Sequence, residues 1–507
     1  MRVACVGGGP GGLFFATLLR RARPDTEVIV FERNRPDDTF GFGVVFSDAT
    51  LGSIDAADPV LSEALAAHGR HWDQIEIRIA GARERCGGNG MGAVARKTLL
   101  GLLQARARAA GVVMRFQQEV RDPAELASFD LVVASDGANS RFRELFAAGF
   151  EPSVQVASAK FIWFGTTYQF GGLTFVHQAG PHGLFAAHAY PISDTLSTFI
   201  VETDAESWAR AGMDEFDASV PPGFSDQKTQ GYLEELFGPE IGGHPLVGNN
   251  SRWASFATRS ARTWRYGIEG RYWALLGDAA HTAHFSVGSG TKMAMEDAVA
   301  LAQALAETPG DIAAALGAYE GTRRSRVEKI QGAARPSLSW WEHFGRYAHA
   351  LEPVQFGFHF LTRSITRGKL KVRDPAYVAR VDGWWRQRYG AAPLATPFQA
   401  GGLRLALRYL DTAHVEPEDF SDLDCVWVHA PADEAGLPVA LDRVRAAAAA
   451  GAPLIGVRSG TPLTRVLLAE EARLGQRIPA AVAGPYDVDD AETIILSGRA
   501  DLVVCTA

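Results

Sequence analysis

Residues 2–33 read RVACVGGGPGGLFFATLLRRARPDTEVIVFER, and the order of signals in that stretch points to one fold. RVACV has the character of a short buried strand. Gly7, Gly8, Gly9, Pro10, Gly11 and Gly12 contain G-x-G-x-x-G, a helical pattern follows, and EVIVFE makes a second strand ending at Glu32. Glycines in that strand–turn–helix setting let the backbone approach a pyrophosphate, and the helix N-terminus stabilises its negative charge. Glu32 stands about twenty residues past the last glycine, where a carboxylate accepts hydrogen bonds from a ribose. The spacing predicts a Rossmann-like dinucleotide-binding unit, with Gly7, Gly9, Pro10, Gly11, Gly12, Glu32 and the adjoining Arg33 at the cofactor.

The rest of the chain sets bounds on that reading. It has 507 residues, 47% hydrophobic and 21% charged, with net charge −8, as expected of a globular protein with a large core. No basic block suggests nucleic acid, and no apolar run is long enough to span a bilayer. The first residues do not have the form of a signal peptide. Cys5, Cys86, Cys425 and Cys505 lie far apart without C-x-x-C spacing. That argues against a zinc site or a disulfide framework and for the cytoplasm; no metal site is expected.

One fingerprint does not separate NAD from FAD. Two later stretches do: DLVVASDGANSRFR at 130–143, with Asp136 and Gly137, and GDAAHTAHFSVGSGTKMAMEDA at 277–298. The second is led by an apolar strand and followed by a helical pattern, with Asp278, then Gly288, Ser289, Gly290, Thr291 and Lys292 at the helix start. Backbone N–H groups there can stabilise negative charge on a bound group.

With the N-terminal glycines, these stretches resemble the group A FAD-dependent aromatic hydroxylases, the para-hydroxybenzoate hydroxylase class. The resemblance covers about residues 1–390 and implies that Asp136, Gly137 and Asp278 hold FAD and that Gly288 to Lys292 lie at its ring. His284, Phe285 and Lys292 depart from the commoner P-P-x-x-G-x-G-x-N. The departure resembles the branch of salicyloyl-CoA 5-hydroxylases, aminobenzoyl-CoA monooxygenases and violacein-pathway hydroxylases. NGMGAVARKTLLGLLQARA fits that branch too, its Arg96 matching a flavin-contacting position. Residues 39–47 lack the arginine that many members carry there, so the pyrophosphate must be neutralised from elsewhere.

From about 151 to 265, KFIWFGTTYQF, LTFVHQAG, LFAAHAYPIS and LSTFIVE read as antiparallel strands of a substrate domain. Trp163, Tyr168, His188, Tyr190 and Phe285 are candidate pocket residues, and His284 is the candidate base. Alternation tells which residues share a face, not which face meets the ring. Residues 311–390 read as helical. After GAAPLATPFQAGG at 390–402, strands alternate with helical patterns, as in parallel βα units. TPFQAGGLRL and IPAAVAGPYDVDDAETIILSGRADLVV resemble parts of an Old Yellow Enzyme-type barrel. Only about half a barrel's roughly 250 residues remain, and the last strand ends in Thr506 and Ala507 where the barrel supplies a phosphate-binding Gly-Arg.

The expected fold is therefore α/β: a Rossmann-like FAD-binding domain (1–150 and 266–310), a mixed and antiparallel substrate sheet (151–265), helices (311–390) and a degenerate βα domain (391–507). The resemblance implies hydroxylation of an electron-rich aromatic ring by FAD, NAD(P)H and O2 through a flavin C4a-hydroperoxide. The degenerate barrel favours a phenol, hydroxypyridine or indole in natural-product or antibiotic biosynthesis. An aryl-CoA substrate in aromatic catabolism is the alternative, and a non-catalytic flavin-binding interaction protein is the reading from another class. Partners are a small aromatic substrate and O2, without nucleic acid or membrane, in a homo-oligomer.

Overall fold

The computed structural model describes residues 1–39, 41–215, 225–268, 270–411 and 425–506; Ala507, named above, lies outside them. The chain adopts the expected α/β class. Contacts divide it into two units, Met1–Ile75 with Asn89–Glu342, and Glu76–Gly88 with His343–Ala507.

The first unit is built on a six-stranded sheet in the order Arg265–Ile268, Arg271–Leu275, Leu131–Ala134, Arg2–Val6, Glu27–Glu32, Val113–Phe116. The five strands after the first are mutually parallel, and Arg265–Ile268 pairs antiparallel at the edge. Strands covered on both faces become continuous apolar runs, and Val3, Ala4, Cys5, Leu131, Val132 and Val133 are fully buried. The helix Pro10–Ala22 opens with proline in its first turn, a position that needs no N–H. It buries Leu13, Phe14, Phe15 and Leu19 completely, at about 1.5–3 kcal/mol for each large side chain.

A second sheet in this unit runs Leu246–Val247, Pro152–Thr166, Ser197–Thr203, Gly183–Pro191, Leu173–Gly180, all neighbours antiparallel, with Ala254–Ala261 also on Pro152–Thr166. The pleat sorts its side chains. Ile162, Phe164, Val176, Phe185, Ala187, Phe199 and Val201 pack on one face with Leu233 and Phe237 of the helix Gln227–Phe237. By register, Phe161, Trp163, Phe175, His177, His188, Tyr190 and Glu202 share the other. The unit also contains most of the helix Ile312–Ala350.

In the second unit, Tyr409–Asp411, Leu502–Cys505, Ala480–Gly484, Ile455–Arg458 and Val426–His429 form a parallel sheet in that order. Four strands lie beside their neighbours in sequence and the first closes onto the last, the order of a barrel wall. Helices Leu437–Ala449, Pro462–Glu470 and Val488–Ser497 alternate with these strands. The helices from 353 to 389 belong here as well. The strand periodicity starts after 390, but the division by contacts falls inside the long helix. Helix residues such as Trp385, whose indole N–H donates to Thr396, are buried in this unit.

Among the described residues, no helix is long and apolar enough to cross a membrane.

Candidate active site

Three separated stretches meet at the carboxyl ends of adjacent parallel strands. Gly7 follows Arg2–Val6, Ser135 and Asp136 follow Leu131–Ala134, and Gly277 and Asp278 follow Arg271–Leu275. Ligands of open α/β sheets bind at such ends. The Ser135 hydroxyl donates to the Val6 and Gly7 carbonyls. Gly7 has φ +109°, and a Cβ there would collide with the Ser135 carbonyl. A Cβ on Gly11 would lie 2.6 Å from Leu276 Cδ2, and one on Gly12 would strike the Gly7 carbonyl. Those three glycines are required by the protein's own packing. Gly9 differs: a Cβ on it meets nothing within 4 Å, so its surface faces open space in front of the helix N-terminus. Glu32 accepts from Gly8 N at 2.7 Å and from the backbone and side chain of Asn34 at 2.8 Å, bracing the glycine turn from below. Arg33 is exposed.

Arg143 ties the second stretch to the third. Its buried guanidinium donates to the carbonyls of Ala138, at 2.9 Å, and Ala279, at 3.1 Å. The third is also fixed from behind by Asp297, which is fully buried. Asp297 accepts from Gly277 N at 3.1 Å, from His281 Nε2 at 2.7 Å and from Arg323 Nε at 2.7 Å. Burial would raise its pKa, but His281 and Arg323 hold it below the ordinary carboxylate range.

The arrangement fits a dinucleotide. Asp136 Oδ2 accepts from Arg141 N, while its buried Oδ1 and the buried Ser289 hydroxyl have no hydrogen-bond partner among the described residues. Buried polar groups left so are costly and point to a missing partner. A Cβ on Gly137 meets nothing within 4 Å. The Asp278 side chain faces open space, accepts no hydrogen bond among the described residues, and has its pKa raised by the surrounding protein against the opposing charges of His281, Arg96 and Arg259. Arg96 and Arg259 thus place positive charge near Asp278, in a region where residues 39–47 supply none.

Gly288, at φ +61°, turns the chain into the helix Gly290–Glu307. Thr291 and Lys292 stand in its first turn, with Lys292 3.8 Å from Glu296. Just before it, Phe285 packs on the polar-bearing face of the second sheet, 4.9 Å from Phe161, 6.5 Å from Trp163 and 5.5 Å from His188 between ring centroids. Arg96 lies over Trp163 at 5.8 Å. Tyr190 stacks on Trp72 at 6.0 Å, and burial pushes its hydroxyl up to about 12. Trp163, His188, Tyr190 and Phe285 therefore come together. Tyr168 does not: it packs beside Phe170 at 4.8 Å and His244 at 5.7 Å, with the apolar layer on the sheet's other side.

His284 and His188 converge on a residue that sequence reasoning missed. Glu202, fully buried, has Oε1 3.2 Å from His284 Nε2 and Oε2 2.7 Å from His188 Nε2. Burial opposes its charge, but His284 and His188 hold its pKa down to about 2. The signal available was parity: Glu202 and His188 lie on one face once strand register is known.

Comparison with known proteins agrees with this geometry. A family described as FAD binding domain matches residues 1–334. A salicyloyl-CoA 5-hydroxylase of a Streptomyces species is 68% identical over 99% of each chain. A 3-hydroxy-4-methyl-anthranilyl-[aryl-carrier protein] 5-monooxygenase of Streptosporangium sibiricum is 38% identical, over 67% of this chain and 89% of the relative. In fold, the tetrameric form of 2-methyl-3-hydroxypyridine-5-carboxylic acid oxygenase superposes with TM-score 0.53 at 20% identity, over 67% of this chain and 92% of that one. The chain belongs to the FAD binding domain family, among its FAD-dependent aromatic hydroxylases.

Proposed function

We propose that this enzyme hydroxylates the ring of an aryl-CoA thioester of the salicyloyl type, at the carbon para to the ring hydroxyl. The observation that carries this reading is the 68% identity to a salicyloyl-CoA 5-hydroxylase over 99% of both chains. That relative spans the degenerate βα unit too, so the missing half barrel no longer argues for a free phenol, hydroxypyridine or indole. The carrier-linked aryl group in the name of the second relative supports the same class.

FAD would be held by the backbone at Gly9, by Asp136, Gly137 and Asp278, and by the loop from Gly288 to Lys292, with Arg96 beside it. When bound, it supplies the redox chemistry between NAD(P)H, O2 and the ring. The protein supplies orientation and a dry wall: Trp163, Tyr190 and Phe285 form an aromatic surface on which a planar ring can stack. A ring hydroxyl activates its para carbon most when ionised. His284 serves as the base that receives that proton, with its imidazolium stabilised by Glu202. Residues 151–265 cover the ring, and the βα unit is non-catalytic. The enzyme works in the cytoplasm as a homo-oligomer.

The test is turnover of salicyloyl-CoA, salicylate and 3-hydroxypyridine under ¹⁸O-labelled O2, with product mass and peroxide both measured. One labelled oxygen in the salicyloyl-CoA product is expected, with salicylate giving slow, uncoupled NAD(P)H oxidation. Coupled hydroxylation of a free aromatic with none of the thioester would overturn the substrate. Oxygen drawn from water would overturn the reaction.

A further inference from the structure

The histidine–glutamate cluster extends beyond a single base. His284 Nδ1 lies 2.7 Å from Ser286 Oγ and accepts weakly from Ser286 N at 3.4 Å. Nδ1 is therefore the acceptor nitrogen, which leaves Nε2–H facing Glu202 Oε1 at 3.2 Å. His188 Nε2 lies 2.7 Å from the other carboxylate oxygen, in contact with it but out of hydrogen-bond alignment. Ser286 Oγ also lies 2.8 Å from Ser337 Oγ, on the long helix. His284, Glu202, His188 and Ser337 are all buried, whereas Ser286 is half-buried on the loop that leads to Gly288. A continuous line of polar contacts thus runs from the half-buried Ser286 into the sheet and ends on a carboxylate set between two imidazoles.

We propose that Ser286, His284, Glu202 and His188 form a proton relay with its mouth at Ser286. This rests on the reading of a phenolic substrate. The substrate O–H bond breaks and its electron pair stays on the phenolate oxygen. The proton passes to Ser286 Oγ as the hydroxyl's own proton moves to His284 Nδ1, and the imidazolium is held by Glu202. Nothing is oxidised or reduced. Glu202 touches no substrate; it is a positioning residue that fixes both tautomers and offsets the charge. A charge in so dry a place needs such a partner. His188 faces the second oxygen at 2.7 Å and gives it a polar neighbour. On this face of the four strands from Pro152–Thr166 to Leu173–Gly180, the remaining titratable groups are His177 and Tyr190, and the long helix contributes Trp341 against His188.

Two measurements test the relay. In FAD-loaded enzyme without substrate, labelled with ¹⁵N-histidine and assigned through His188→Gln and His284→Gln, both imidazoles should be Nε2–H tautomers at pH 8. In Glu202→Gln that preference should be lost. An Nδ1–H tautomer at His284 in the parent enzyme overturns the relay without reference to any substrate. The second uses 5-nitrosalicyloyl-CoA, whose phenolate absorbs visible light. Its bound ionisation should need a pH at least one unit higher in Glu202→Gln, about tenfold less phenolate at fixed pH, and Glu202→Asp should restore part of it. Identical ionisation profiles in parent and Glu202→Gln also overturn the relay. A probe that fails to bind the parent counts against the aryl-CoA substrate, and the tautomer measurement then decides the relay.

Discussion

Substituting Gly9 and Gly7 by alanine separates the glycine that serves the cofactor from one that serves the fold. Gly9 caps the helix Pro10–Ala22 at φ −74° and ψ 176°, extended backbone open to any residue, and a Cβ there meets nothing within 4 Å. Gly9→Ala should therefore fold, at a cost of about 1 kcal/mol or less for a poorer N-cap. Its methyl would stand on the surface a pyrophosphate must touch. Losing one charged hydrogen bond to the backbone costs about 1.5–3 kcal/mol, a weakening of FAD binding by about 10- to 100-fold. Gly7→Ala places its Cβ against the Ser135 carbonyl at φ +109°, so the apoprotein itself should melt early or fail to fold. The assay strips FAD, records the melting of each apoprotein, and titrates FAD back by its fluorescence. Parental FAD affinity in Gly9→Ala, or an apoprotein as unstable as Gly7→Ala, would refute the division of roles.

Asp278→Ala should lose FAD on gel filtration while keeping its apoprotein melting temperature, because that carboxylate accepts no hydrogen bond among the described residues; full FAD occupancy would contradict it. Arg323→Met leaves the buried Asp297 with one fewer cation and should destabilise by about 3–5 kcal/mol, read as a lower urea midpoint. In the second unit, burial lowers His359 from 6.5 to about 4, and Glu470, despite its own burial, is held near 2 by His359, Arg499 and Tyr347. Both groups bind protons more readily when unfolded. Stability is therefore full above about pH 6.5, falls through His359 towards pH 4, and falls further through Glu470 towards pH 2. His359→Gln should flatten the first fall, whereas a parental urea midpoint constant between pH 7 and 4 would refute it. Truncation from Pro393 cuts through that unit, removes Thr396 and the parallel sheet, and should give aggregated protein rather than a soluble hydroxylase.

The N-terminal nucleotide unit was legible because its signals are local. Strand, glycines, helix and acid follow one another within 33 residues, and each glycine's role depends on backbone a few ångströms away. Asp278 was expected at the cofactor from its setting beside Gly277. Asp297 gave no signal of its own: nothing in the helical run that holds Glu296 and Asp297 says which acid is buried. Burial of Asp297 is intelligible only with His281 and Arg323, which spatial packing supplies. Glu202 was hidden for a related reason. A glutamate near the end of LSTFIVE suggests a strand running out into solvent, and only the register against Gly183–Pro191 sets it beside His188. Alternation set His188 and Tyr190 on one face of their own strand, and only the strand register joins Trp163 to them. It could not speak for Tyr168, which follows the end of Pro152–Thr166 and obeys no pleat.

The hairpin spanning Glu76–Gly88 belongs with residues made much later. The Gly87 N–H donates to Asp374, and a side chain on Gly88 would run into the backbone of Arg373. At a ribosomal pace of about 5–20 residues per second, the hairpin emerges at least ~10 s before its partners exist. Until then these two contacts are missing. Two hairpin strands alone are marginal in water, so the hairpin's packing is complete only when that later chain has been made. Production in a host should therefore depend on elongation rate and chaperone supply more than the finished protein's stability suggests.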